Sequence, residues 1–187
     1  MSVATGEPAT ENPPRPRLDI GAGALVGVIV EDLDGYDDEI LGLDICGIYR
    51  PYDPRVGLRG SISYFKSSSQ WFENSFTMFL IGPEFMVPSA RLGFLIQGFV
   101  GTTRNSFSPV IFELDRKEWF FVWGVGLGLR GQFAGGPAPV SFEISGRVLE
   151  AGSIQVLRGP ALSPTVSTVD VTAFSLTFGL MVGIPGT

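Results

Sequence analysis

The chain contains no histidine, and Cys46 is its single cysteine. Without histidine neither a Ser-His-Asp nor a Cys-His arrangement forms, and the commonest metal ligand is missing. Enzymatic chemistry is therefore not expected. One cysteine excludes an intramolecular disulfide, and in a strand it reads as a small packing residue. Charge is scarce as well: 17% of the residues are Asp, Glu, Lys or Arg, where a soluble domain has about 25%. Lys66 and Lys117 are the chain's lysines, and the net charge is −6 with no basic stripe, which argues against nucleic acid. Also missing is any uninterrupted apolar run of the roughly 18 residues that a membrane-spanning helix needs. Yet the chain is 44% apolar and its mean hydropathy is +0.28.

What the sequence does have is alternation. Along Val169 to Ile184, Phe174, Leu176, Phe178, Leu180 and Val182 fall on one face; Ala173, Ser175, Thr177, Gly179, Met181 and Gly183 fall on the other. Side chains alternate across a strand, so this segment is a ribbon with one apolar face and one small or polar face. The split recurs, and it predicts eight strands. These are Leu18 to Val30, Ile40 to Arg50, Val56 to Lys66, Ser75 to Val87, Arg91 to Gly101, Trp119 to Phe133, Val140 to Leu149 and the last segment. The sixth is the cleanest, with Trp119, Phe121, Trp123, Val125, Leu127 and Leu129 opposed to Gly124, Gly126, Gly128, Arg130 and Gln132. The fourth is apolar on both faces in its upper half, and Glu84 fixes its parity. Each predicted strand has roughly 10 to 15 residues, enough to cross a tilted apolar band of about 25 Å.

Long and short connections alternate, beginning and ending with a long one. Long predicted loops are Glu31 to Glu39, Ser67 to Asn74, Thr102 to Glu118 and Glu150 to Thr168; short ones lie at Pro51–Pro54, Pro88–Ser89 and Ala134–Pro139. Membrane barrels of bacteria show this order, with long outer loops and short periplasmic turns. The expected class is all-β, an antiparallel up-and-down transmembrane barrel over residues 18–184. Residues 1–17 are expected to be a flexible, Pro-rich periplasmic tail. That start has no basic region followed by an apolar stretch, so no signal peptide is read in it; the expectation is an exported chain whose signal has been removed.

Which way the apolar face points is decided by the charges. Asp19, Asp44, Arg59, Glu84, Arg91, Arg130, Glu143 and Arg147 all share the glycine-rich face. A soluble barrel of the lipocalin kind, carrying an apolar ligand, would put Lys and Glu outside and its apolar face inside. Here the apolar face also carries Tyr49, Tyr64, Phe85, Trp119, Trp123, Phe133 and Phe142 near strand ends, where aromatic girdles lie. The expectation is an apolar wall in lipid around a polar interior.

On these patterns the chain resembles the eight-stranded outer-membrane barrels of the OmpA/OmpX type. The resemblance covers about residues 18–184 and includes one motif: Thr177, Gly179, Val182 and Ile184 match the terminal-strand signal that the barrel-assembly machinery recognises. The family prefers a terminal aromatic, whereas this chain continues Pro185-Gly186-Thr187. The resemblance implies a bacterial outer-membrane location, membrane lipids and the assembly machinery as partners, and no cofactor.

Two constellations are candidates for chemistry. Asp44, Arg59, Glu84, Arg91, Arg130, Glu143 and Arg147 face a narrow lumen, where charges must pair or be hydrated. They are expected to form a salt-bridge plug, with Glu84 on Arg91 or Arg59 and Glu143 on Arg130. The plug either holds the barrel shut or lines a narrow channel for ions or small solutes. Glu31, Asp32, Asp34, Asp37 and Asp38 crowd the first loop around Gly35. Their oxygens suit Ca²⁺ or the divalent ions that bridge lipopolysaccharide, without EF-hand spacing; the plainer alternative is a solvated acidic loop. Apolar residues on the other outer loops (Trp71, Phe72, Phe107, Val110, Ile111, Phe112) suit a protein partner or fold over the barrel mouth. The functional expectation is a monomeric barrel with a structural or surface-interaction role.

Overall fold

The computed structural model describes residues 17–29, 39–68, 72–89, 92–109, 116–134, 138–158 and 165–185. Eight strands follow one another along the chain: β1 (Arg17–Ile29), β2 (Glu39–Arg50), β3 (Val56–Ser68), β4 (Phe72–Pro88), β5 (Leu92–Pro109), β6 (Arg116–Ala134), β7 (Val140–Arg158) and β8 (Thr165–Pro185). Each pairs with its neighbour in sequence, and β1 pairs antiparallel with β8, from Leu18↔Ile184 to Ile29↔Ala173. The sheet is a closed barrel with no lateral edge along that seam, which removes the aggregation hazard of an open strand. Apart from Arg17, the expected tail lies outside the described residues.

The alternation read from the sequence sets which face is which. On β1, Leu18, Ile20, Val26 and Val28 are exposed while Asp19 and Leu25 are buried. On β6, Phe121, Trp123, Val125 and Leu127 are exposed, and Val122 and Arg130 are buried. Leu41 is 70% exposed and Leu127 67%, so the wall is a continuous apolar surface with nothing over it among the described residues. This overturns the lipocalin alternative: its apolar face would have to point inward.

The strands are longer than expected. The segments read as loops at Ser67 to Asn74, Thr102 to Glu118 and Glu150 to Thr168 are mostly ladder. Glu73 pairs with Ser108, Phe107 with Arg116, and Arg158 with Thr165. Apolar and polar residues do not alternate regularly along these stretches of sequence, so the period-2 signal fades although backbone pairing continues. The later strands have 17 to 21 residues, roughly twice the 9–11 that cross a bilayer. β1 and β2 have 13 and 12.

At the other end, the turn between β2 and β3 is closed by the Val56 amide donating to the Asp53 carbonyl at 3.1 Å. The Arg55 amide donates to the Asp53 side chain at 2.8 Å. The ladder between β4 and β5 skips at one point, from Ile81↔Val100 to Glu84↔Gln97. Pro83 lacks an N–H there. Beside it Gly82 lies so close to β5 that a Cβ would stand 1.9 Å from the Gly98 carbonyl oxygen; only glycine fits this approach.

The interior has two storeys. Toward the long connections it is apolar: Leu25, Ile29, Ile40, Phe65, Phe76, Met78, Leu80, Phe99, Val122, Leu149 and Val171 form one buried cluster. Phe65 and Phe76 stack with ring centroids 4.9 Å apart. Toward the short turns the interior is charged. The expectation of a polar lumen throughout is therefore corrected. Both faces of the upper strands are apolar because one faces outward and the other packs against its counterparts across a narrow barrel.

Candidate functional site: the lumen charge network

The inward parity of seven strands delivers the charged floor. β1 supplies Arg17 and Asp19, β2 Asp44 and Arg50, β3 Arg59, β4 Glu84, β5 Gln97, β6 Arg130, and β7 Glu143 and Arg147. Glu84 is the hub, fully buried at 0% exposure. It accepts from Arg59 Nη1 at 3.0 Å, Arg130 Nη2 at 3.2 Å and Gln97 Nε2 at 3.1 Å, and also from Arg50 Nη2. Glu143 accepts from Arg59 Nη1 at 2.7 Å and Arg130 Nη2 at 2.6 Å. Two arginines thus clamp two glutamates across the barrel.

Higher up, Arg147 grips Asp44 with both terminal nitrogens, at 3.0 and 2.9 Å. Such a fork adds geometric specificity to charge. Ser63 Oγ donates to the same carboxylate at 2.5 Å, and Arg59 Nη2 lies 3.8 Å from it. The Arg147 guanidinium also sits 5.1 Å from the centroid of the Phe99 ring, where the charged storey meets the apolar one. Below the hub, Arg50 donates to Asp19 through Nη1, and Arg17 Nε donates to Asp19 at 2.6 Å. From Arg17 to Arg147 the ion pairs are continuous.

Of the residues singled out from sequence, Asp44, Arg59, Glu84, Arg130, Glu143 and Arg147 meet in this network; Arg91 lies outside the described residues. Arg59 is on Glu84 as expected, beside Arg50 and Arg130, and Arg130 serves Glu143 as well. Arg17, Asp19 and Arg50 belong to the network but were not among the expected partners. Asp19 and Arg50 already stood on the inward face by parity. Their place at strand ends hid that the barrel floor continues to the mouth. The acidic first-loop residues Glu31, Asp32, Asp34, Asp37 and Asp38 also lie outside the described residues. Among the described residues no three metal-ligating side chains converge. On β8, Thr177 is buried and Gly179 half-buried on the inner face, while Val182 and Ile184 are exposed on the outer one. Cys46 is buried beside Ile48 and Met181.

Paired, fixed and buried charges have one clear physical effect, which is to fill the barrel. Between Asp44, Arg59 and Glu143 the remaining cavity is about 10 Å³, room for about one water molecule at most. At the short-turn mouth the floor opens into a vestibule of about 530 Å³ lined by Arg17, Asp19, Arg50 and Arg130.

No protein-family model and no curated protein sequence matches the chain. Solved structures do. The surface protein NspA of Neisseria superposes with a TM-score of 0.61 at 13% identity, over 89% of this chain and 96% of that one. Ail, the attachment invasion locus protein of Yersinia pestis, gives 0.56 at 16% identity, over 91% and 99%. A major outer membrane protein of Thermus thermophilus gives 0.53 at 9% identity, over 90% and 99%. At such identities the likeness is one of architecture: this chain has the fold of the eight-stranded outer-membrane β-barrels.

Proposed function

We propose that the chain is an integral protein of the Gram-negative outer membrane, held in lipid by its apolar wall. Its barrel is a closed scaffold with a structural or surface-interaction role. The observation that carries this reading is the filling of the lumen by two unlike plugs, ion pairs near the short turns and packed aromatic and aliphatic side chains above. A barrel filled in this way has no path for solute, so specific function falls to the outer end. The same reading makes it a non-enzyme without a cofactor. It assigns Thr177, Gly179, Val182 and Ile184 to recognition by the assembly machinery. The acidic residues Glu31 to Asp38 are assigned to the divalent ions that bridge lipopolysaccharide, and a protein partner to the outer rim.

The test has two parts. Refolded in detergent, the chain should need detergent to stay folded and should migrate differently on a denaturing gel before and after boiling. Inserted in a planar bilayer, it should show no unitary conductance. Folding as a monodisperse protein in plain buffer would refute the membrane reading. Steady single-channel steps that change in Arg130→Ala would refute the closed scaffold in favour of the narrow channel.

A further inference from the structure

The lumen's charges do not balance, and the imbalance sits at one end. Among residues whose side chains are described, Arg17, Arg50, Arg59, Arg130 and Arg147 face inward against Asp19, Asp44, Glu84 and Glu143. That leaves one arginine in excess. The upper pair, Asp44 with Arg147, is balanced in charge and joins the rest through Arg59 Nη2, 3.8 Å from Asp44. The excess therefore lies below, where Arg17, Arg50 and Arg130 share the vestibule with Asp19 as its lining carboxylate. The carboxylates do not saturate the lumen arginines either: Nε of Arg50, Arg59, Arg130 and Arg147 has no acceptor, and of these Arg50 and Arg130 line the vestibule. Arg17 keeps a side chain that is 41% exposed beside Asp19. On a chain of net charge −6 this mouth is a local positive well, and a concave site focuses such a potential.

The cavity is also of ligand size. Its volume of about 530 Å³ falls within the 300–1,000 Å³ of small-molecule sites, which combine apolar walls with a few placed polar groups. Met86, Leu92 and Phe133 line its wall beside the arginines. We infer that the short-turn mouth of the barrel is a binding site for a small organic monocarboxylate that carries an apolar group. Its carboxylate sits on Arg17 above Arg50 and Arg130, and its apolar part lies against Met86 and Phe133. One surplus positive charge matches one carboxylate. The site does not depend on the closed-scaffold reading, since it lies at the mouth and not along the lumen.

The probe is N-acetylphenylalanine, with its neutral amide as the matched control. Binding is measured by ligand-observed saturation-transfer NMR on the full chain in nanodiscs, with empty nanodiscs subtracted. The acid should saturate and the amide should bind at least about tenfold more weakly, the worth of a charge-assisted contact. Arg17→Gln, a partly exposed position, should weaken the acid by about tenfold, whereas Lys66→Gln on the outer wall should leave it unchanged. Equal binding of acid and amide would overturn the inference, as would equal weakening by the two substitutions. Displacement of the acid by inorganic phosphate at equal concentration would mean an unselective anion site and would overturn the organic class. The comparison of acid with amide needs no variant, so it decides even if Arg17→Gln does not fold.

Discussion

Replacing Glu84 by alanine is the sharpest perturbation of the charged floor. Glu84 is wholly buried and accepts from three guanidinium groups and one amide. Removing it leaves five inward arginines facing three carboxylates. Arg50 keeps Asp19, and Arg59 and Arg130 keep Glu143, so no cation is orphaned, but each loses a partner in a buried site. Breaking a buried ion pair from one side costs about 3–5 kcal/mol. Glu84→Ala should therefore cost about that much, a fall of roughly two to four orders of magnitude in the folding equilibrium. The assay is urea unfolding in detergent micelles or lipid vesicles, followed by tryptophan emission. The companion is the double variant Glu84→Ala with Arg130→Met, which restores an excess of one arginine. It should be less destabilised than the sum of its single variants by about 0.5–3 kcal/mol, the range for residues in contact. A cost below about 1 kcal/mol for Glu84→Ala, or strict additivity in the pair, would refute the view that these ion pairs hold the floor together.

Two more expectations follow from the wall and the upper storey. Leu127→Arg places a charge at an outward position that is 67% exposed; it should cost about 2–4 kcal/mol when folding is measured in lipid, and a negligible change would argue against a lipid-facing wall. Phe65→Ala removes a ring stacked on Phe76 at 4.9 Å inside the apolar plug. It should cost about 3–5 kcal/mol by the same urea assay, whereas a near-neutral result would mean that the upper lumen is loosely packed.

The barrel was legible in the sequence wherever its two faces differ in chemistry. β6 is the clear case, since Trp119 to Leu129 alternate with Gly124, Gly126 and Gly128, large and apolar outside, small inside. β4 was less readable because Phe76, Met78 and Leu80 point inward beside an equally apolar outer face, so no period survives. That loss of period was itself the trace of the apolar plug, which an eight-stranded barrel admits because opposite walls lie within side-chain reach of each other. The strand extensions on β5 to β8 left no trace, since ladder hydrogen bonds carry no side-chain signature. In the site, parity alone brought Glu84, Glu143, Arg59 and Arg130 to one lumen. It did not show that Gln97 joins them, donating to Glu84. Arg50 and Asp19 sat at strand ends, where sequence pattern does not tell a lumen floor from a solvent rim.

The long ladders of β4 to β8 give the outer end of the barrel an ordered backbone. Among the described residues β8 is paired with β1 from Pro185 to Ala173, and its segment from Thr165 to Val171 is paired with β7. At about 3.3 Å per residue that segment adds roughly 25 Å of ladder beyond the seam. Together with β4 to β7 it is hydrogen-bonded ladder where long loops were expected. A partner that docks on it finds a backbone already ordered, so little conformational entropy is lost on binding. For any partner at this end, shape fixed by strand register would then discriminate before any single side chain does.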